Sequence, residues 1–226
     1  DALSQDAFLC GRLHLWQPKK GYRAATDPVL LAAACPARPG DSVLDLGCGA
    51  GAAALCLAAR VAGVRLAGLE VQPGYAALAR RNAAENGIEM QVECGDLADM
   101  PRALRRDFDH VIANPPYYPA AGSPSPIKVR DTALRVETPV AAWVAAAATR
   151  LNPGGWLAFT VERAPDERDV LLLPSLRHAH SEPYLRRLAG VPLIPIDRVG
   201  AAPGQCQGER QRRDEFVHGY LSCICT

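Results

Sequence analysis

From about residue 41 the sequence alternates short apolar runs with longer alanine-rich stretches, and this alternation leaves few folds open. Strand patterns separated by helical ones give parallel strands joined by crossover helices, the α/β class. A first strand reads as Ser42-Val43-Leu44-Asp45-Leu46, followed by a glycine turn and a helix from Ala52 to Val61. A second runs from Arg65 to Leu69 and ends on Glu70. The next helix opens at Pro73, suited to a first turn, and closes at Asn86-Gly87, a C-terminal signal. Further strands read as Met90 to Glu93 and Phe108 to Ala113. Pro119 to Pro126, rich in Pro, Ser and Gly, reads as a long mobile loop. Thr138 as N-cap and Pro139 then start a helix running to Leu151. Asn152-Pro153-Gly154-Gly155 turns into a fifth strand, Trp156 to Val161, and the patterns Val191 to Ile196 and Phe216 to Ile224 supply last strands. With 226 residues the chain reads as one domain, residues 1–40 capping a core of 41–226.

Composition narrows the partners. Hydrophobic residues make up 49% and charged residues 22%, the balance of a soluble globular protein. Lys and Arg total 25 against 24 acids, so any nucleic-acid surface must be local. The run Arg210, Arg212, Arg213 reads first as a solvated loop. No charged-then-apolar leader opens the chain and no apolar run is long enough for a bilayer, so no membrane partner is expected. The cysteines, Cys10, Cys35, Cys48, Cys56, Cys94, Cys206, Cys223 and Cys225, form no Cys-x-x-Cys pair and lack His at zinc spacing. No metal is expected; several cysteines sit among small apolar residues, where a free thiol behaves as a small hydrophobe, and the setting reads as reducing and cytoplasmic.

The chemistry concentrates at strand ends. Asp45-Leu46-Gly47-Cys48-Gly49-Ala50-Gly51 lies where a strand becomes a helix, and glycines there allow a sharp turn and close ligand approach. Glu70 ends the next strand, where a carboxylate can accept two ribose hydroxyls. Gly47-x-Gly49-x-x-Ala52 also fits a dinucleotide fingerprint. Two features favour a different ligand. Asp45 suits an ammonium and would be unwelcome beside a pyrophosphate, and Asp96 follows the third strand, where it can accept from an adenine amino group. Three acids at adjacent strand ends match a nucleoside bearing a cation, S-adenosylmethionine (SAM).

Asn114-Pro115-Pro116-Tyr117 follows the fourth strand, at the sheet end where ligands bind in open α/β folds. A proline-rich exit turn would account for it as local structure. As a chemical device it does more. An amide or aromatic amino nitrogen is a poor nucleophile because its lone pair is delocalised. If the Asn114 side-chain oxygen and the Pro115 carbonyl each accept an N–H, the lone pair is turned toward a methyl donor and no strong base is needed. Tyr117 adds a flat face for stacking a planar target.

Together Val43 to Leu55, Glu70, Asp96 and Asn114 to Tyr117 resemble the class I, Rossmann-like methyltransferases of the amino-group type. The segment Leu13 to Leu31, which includes Lys19-Lys20-Gly21-Tyr22-Arg23 and Thr26-Asp27-Pro28, is similar to the N-terminal signature of the bacterial tRNA(Val) adenine-N(6) methyltransferase family. The resemblance covers about residues 8 to 160. It implies a seven-stranded, mostly parallel sheet with helices on both faces and the last strand antiparallel. It also implies SAM held by Asp45, Gly47, Gly49, Gly51, Glu70 and Asp96, with Asn114, Pro115 and Tyr117 at the target amine and Asn114 bordering the cofactor. Arg23 and Asp27 would stand near the methionine end of SAM or the pocket entrance, although an ion pair and a helix N-terminal acid account for them nearly as well. Arg163 to Thr226 matches the family's ending only loosely. The expected substrate is adenine N(6) in tRNA or another RNA. The alternatives are a glutamine amide of a protein and the guanine amino group of RNA. Glutamine-modifying relatives carry a separate helical N-terminal domain, and guanine-modifying ones often have Phe in place of Tyr117.

Overall fold

The computed structural model describes residues 2–116, 138, 140–164 and 167–174. In chain order these form β1 (Leu3–Phe8), β2 (Leu13–Pro18), α1 (Asp27–Ala34), β3 (Ser42–Leu46), α2 (Ala52–Arg60), β4 (Arg65–Glu70) and α3 (Pro73–Glu85). β5 (Met90–Cys94), β6 (Phe108–Ala113), α4 (Val140–Arg150), β7 (Leu151–Ala164) and β8 (Glu167–Pro174) follow. The main sheet has the order β5-β4-β3-β6-β7-β8. Its first five members run parallel, and β8 lies antiparallel on β7. Among the described residues this sheet has six strands, mostly parallel as expected, and the last of the six is antiparallel. Strand patterns expected at 191–196 and 216–224 and the loop expected at 119–126 lie outside the described residues.

Alternation along the strands sorts the core into two layers. Val43, Ile112 and Ala158 face one side, packed with α1 and α2 residues such as Leu31 and Leu55. Leu44, Leu46, Val111, Ala113, Leu157 and Phe159 face the other, against Val144 and Ala147 of α4. β3 and β6 are buried on both faces, so apolar residues follow one another in Val43-Leu44 and in Val111-Ile112-Ala113 where a half-exposed strand would alternate. Each fully buried Leu or Phe in these layers contributes about 1.5–3 kcal/mol relative to exposure. The chain steps outward from β3 to β5 and then returns to β6 on the other side of β3. That reversal opens a crevice at the carboxyl ends of β3 and β6.

Two segments depart from the sequence reading. Phe108 pairs with Leu151 and His110 with Trp156, so Asn152-Pro153-Gly154-Gly155 bulges within β7 and does not precede it. Asn152 Nδ2 donates to Asp109 Oδ1 at 2.9 Å, and a Cβ on Gly155 would fall 2.3 Å from the Asp109 carbonyl oxygen. The bulge is therefore pinned to β6. Cys10, in the turn after β1, is disulfide-bonded, whereas Cys35, Cys48, Cys56 and Cys94 are free thiols. A disulfide needs proximity in space, which spacing along the chain does not display.

The expected N-terminal cap is a β-hairpin followed by α1, and two asparagines bolt the hairpin down. Trp16 donates its backbone N–H to Asn82 Oδ1 at 2.7 Å, and Asn82 Nδ2 donates back to the Trp16 carbonyl at 3.1 Å. One helical turn later Asn86 repeats the exchange with His14, at 3.0 and 2.8 Å. The match is geometric. Four helical residues rise about 6 Å and two strand residues about 6.8 Å, so amides spaced i, i+4 meet backbone groups spaced i, i+2. Asn82 Nδ2 also donates to the Ala50 carbonyl in the glycine turn at 2.9 Å, and the residue is fully buried. Asn82→Ala would leave these backbone groups without partners and should destabilise the fold by about 3 kcal/mol. The lowered urea midpoint and faster hydrogen exchange at the Trp16 amide would register it.

Candidate functional site

The crevice is lined by carboxylates that the fold has taken out of water. Asp45, the penultimate residue of β3, is 2% exposed, and its Oδ2 has no hydrogen-bond partner among the described residues. Burial pushes its pKa up to about 8; a backbone hydrogen bond from Ala54 opposes the rise, and the nearby Glu70 charge adds to it. Glu70, at the end of β4, is also buried, and burial raises its pKa against the pull of backbone N–H groups. Its Oε2 accepts from the Gly49 N–H at 2.9 Å and its Oε1 from the Gln72 N–H at 2.8 Å. Glu70 thus shapes the glycine turn as well as facing the crevice.

Gly47, Gly49 and Gly51 all sit at positive φ, 67°, 55° and 87°. At Gly47 the requirement is doubled, because a Cβ there would lie 2.6 Å from the Trp143 ring. The Trp143 indole Nε1 is buried without a partner among the described residues. Asp96, two residues beyond β5, is exposed, and its Oδ1 accepts from the Ala98 N–H at 2.7 Å. It therefore ends the third of the three adjacent strands, as its place in the sequence implied.

Asn114 follows β6 directly. Leu46 pairs with Ala113, so Asn114 and Gly47 each come one residue after the last paired residues of β6 and β3. Asn114 Nδ2 donates to the Tyr22 hydroxyl at 3.0 Å, and its Oδ1 accepts from the Thr160 hydroxyl. Pro115 behind it is buried and Pro116 exposed, while Tyr117 lies outside the described residues.

Arg23 donates to Asp6 Oδ2 at 2.6 Å, to Ser4 at 2.9 Å and to the Pro18 carbonyl at 3.0 Å, so its guanidinium is tied to the hairpin. Asp27 is the first residue of α1 and half-buried. Sequence reasoning singled out neither Tyr22 nor Thr160 as a site residue, yet both touch Asn114. Tyr22 is 53% exposed, and its carbonyl accepts from the Tyr75 hydroxyl at 2.9 Å. The available signal for Thr160 was a polar residue directly after the apolar run Trp156 to Phe159, in the strand beside the one that leads to Asn114.

The state of Asp45 makes a pH prediction. Its folded pKa near 8 lies above the ordinary 3.8, so protonated Asp45 contributes stability fully below pH 3.8. That contribution is lost as pH rises through about 8. The free protein should become less stable across this window, and Asp45→Asn should flatten the dependence. Urea unfolding at several pH values measures both slopes.

Among the described residues no group of three or more His, Cys, Asp and Glu could hold a metal ion. Among them, no helix is long and apolar enough to cross a membrane. A release factor glutamine methyltransferase from Geobacter sulfurreducens is 36% identical over 129 residues, covering 51% of this chain and 43% of that one. A tRNA1(Val) (adenine(37)-N6)-methyltransferase from Porphyromonas gingivalis is 32% identical over 168 residues, covering 70% of this chain and 66% of that one. The chain spans from under half to about two thirds of the length of these curated relatives. A solved T. thermophilus 16S rRNA N2 G1207 methyltransferase, in complex with AdoMet and guanosine, superposes with a TM-score of 0.54 at 22% identity. That superposition covers 71% of this chain and 42% of the other, and shares the Rossmann-like fold. The model of the methyltransferase small domain matches residues 25–177, from α1 through β8 and so across the whole crevice, and the chain belongs to that family.

Proposed function

We propose that the chain transfers a methyl group from SAM to an exocyclic amino nitrogen, adenine N(6) of tRNA being the leading substrate. The observation that carries this is Asn114, its amide held by Tyr22 and Thr160 just after β6, beside the strand β3 whose end carries the buried Asp45 and the glycine turn. The residues present fit the cofactor. The unpartnered Oδ2 of Asp45 and its elevated pKa describe a buried acid lacking a cation, which the methionine ammonium would supply. Glu70 retains acceptor capacity beyond its two N–H contacts for ribose hydroxyls, and Asp96 keeps an oxygen for the adenine amino group. When bound, SAM supplies an electrophilic methyl on a sulfonium centre.

The rest is done by the chain. Asn114 Oδ1 holds one amine N–H and the Pro115 carbonyl the other, which directs the nitrogen lone pair. Tyr117 stacks on the planar target. No side chain need remove a proton before the methyl moves, because the proton is released to solvent from the methylated nitrogen. The relatives named for tRNA adenine and for release-factor glutamine share this requirement for a weakly nucleophilic NH2. A glutamine amide is therefore the second reading, favoured by the 36% identical relative. A tRNA substrate places the work in the cytoplasm. Nucleoside mass spectrometry of unmodified bulk tRNA incubated with protein and SAM should show N(6)-methyladenosine. Methylation of a release factor in the parallel reaction, with tRNA untouched, would move the assignment to the amide.

A further inference from the structure

We propose that Thr160 is a positioning residue that, with Tyr22, sets which end of the Asn114 amide is presented to the incoming amine. The proposal rests on the reading of Asn114 given above and deepens it. A side-chain amide is nearly symmetric in shape, so turning it by 180° exchanges an acceptor oxygen for a donor NH2 at no steric cost. An NH2 aimed at an amine would repel it. Function therefore requires a device that decides the orientation, and hydrogen bonds are the only such device available.

The structure supplies one on each side. Thr160 is 2% exposed, near the end of β7, one residue beyond the Ala113–Phe159 pair. In register it stands directly beside Asn114, on the same face of the sheet, and its hydroxyl donates to Asn114 Oδ1. Above the site, Tyr22 follows Gly21 (φ 106°), and its hydroxyl accepts from Nδ2. A carbonyl oxygen carries two lone pairs, so accepting from Thr160 is compatible with accepting a substrate N–H. Thr160 is the polar exception among Leu157, Ala158 and Phe159, all of which are buried apolar residues. Valine would fill the same space without a donor. Tyr22, at 53% exposure, shares its bond with water and should matter less.

The test is a series of variants assayed for methyl transfer from SAM to unmodified bulk tRNA. Thr160→Val should lower kcat by about 10–100-fold, the scale of a misplaced reacting group, with the Kd for SAM unchanged. Thr160→Ser, which restores the hydroxyl, should return kcat to within about threefold of wild type. Thr160→Val combined with Asn114→Ala should be no slower than Asn114→Ala alone, because Thr160 acts only through the amide. A purely structural Thr160 would instead add its loss to that of Asn114. A wild-type kcat in Thr160→Val beside a slow Asn114→Ala overturns this proposal and leaves the proposed function standing. A wild-type kcat in Asn114→Ala overturns the proposed function instead. An arm without substrate decides the geometry itself. In protein labelled with 15N-asparagine, the Asn114 NH2 resonances, identified by their loss in Asn114→Ala, should shift and exchange faster in Thr160→Val and in Tyr22→Phe. Unchanged resonances in both variants overturn the proposal whatever the RNA assay shows.

Discussion

Asn114→Ala should abolish most methyl transfer, by about 100–1,000-fold in kcat, while leaving SAM affinity within a small factor of wild type. The two halves of this expectation follow from the proposed function. In that reading Asn114, just after β6, meets the target, whereas the buried carboxylates at the ends of β3 and β4 hold the cofactor. An acceptor that meets the substrate only at the reacting nitrogen contributes to the transition state and little to the cofactor ground state. Asn114→Asp is the finer instrument, since it keeps the shape and an oxygen on the Thr160 side. It also turns the Nδ2 that faces Tyr22 into a second acceptor, so partial activity is expected. Calorimetry with SAM and steady-state rates on tRNA measure the two halves separately. Near wild-type turnover in Asn114→Ala, or a methyl found on a ring carbon, would refute the mechanism even in a protein that binds SAM.

Glu70→Ala should cost the most in cofactor binding. The change removes the acceptor for two ribose hydroxyls, each charge-assisted bond worth about 1.5–3 kcal/mol, and so predicts at least about 100-fold weaker SAM binding. It also releases the Gly49 N–H, held at 2.9 Å, and with it the shape of the glycine turn. Loss of affinity should therefore exceed that of Asp96→Ala, whose carboxylate is exposed and holds only a local N–H. Calorimetric titration of the three proteins ranks them. A Glu70→Ala protein that binds SAM as tightly as wild type, or a wild-type protein that binds NADH and not SAM, would contradict the assignment of the crevice.

The parts of the site legible in the sequence are those whose partners lie close along the chain or whose place is fixed by strand ends. Glycines at a strand-to-helix turn, an acid closing each neighbouring strand, and Asn-Pro-Pro after a buried strand all follow from local pattern, and β3 to β6 fall within a residue of their expected bounds. What stayed hidden depends on distant pairings. Thr160 is 46 residues from Asn114 and Tyr22 is 92, so their meeting is visible only once β6 and β7 are in register. The bulge in β7 escaped because Asn152-Pro153-Gly154-Gly155 has the chemistry of a turn, and it is held inside the strand by pairing with β6 and by the Asn152 bond to Asp109. β8 was masked by its charged opening, Glu167-Arg168-Asp169, ahead of Val170 and Leu173, which are buried. For Arg23 the resemblance left both a place near the pocket and an ion pair open, and its guanidinium is ion-paired with Asp6 and bonded to the hairpin, through partners that only folding brings together.

The asparagine bolt on the hairpin has a further consequence, for solubility. A two-stranded ribbon with bare backbone donors and acceptors along one side is a template on which a second molecule can add a strand. Along β2 those groups at His14 and Trp16 are occupied by the amides of Asn86 and Asn82, which imitate a neighbouring strand but offer nothing for a further strand to pair with. The helix thereby terminates the ribbon in the way a blunt cap ends a filament. Its loss would open a route to self-association as well as to unfolding.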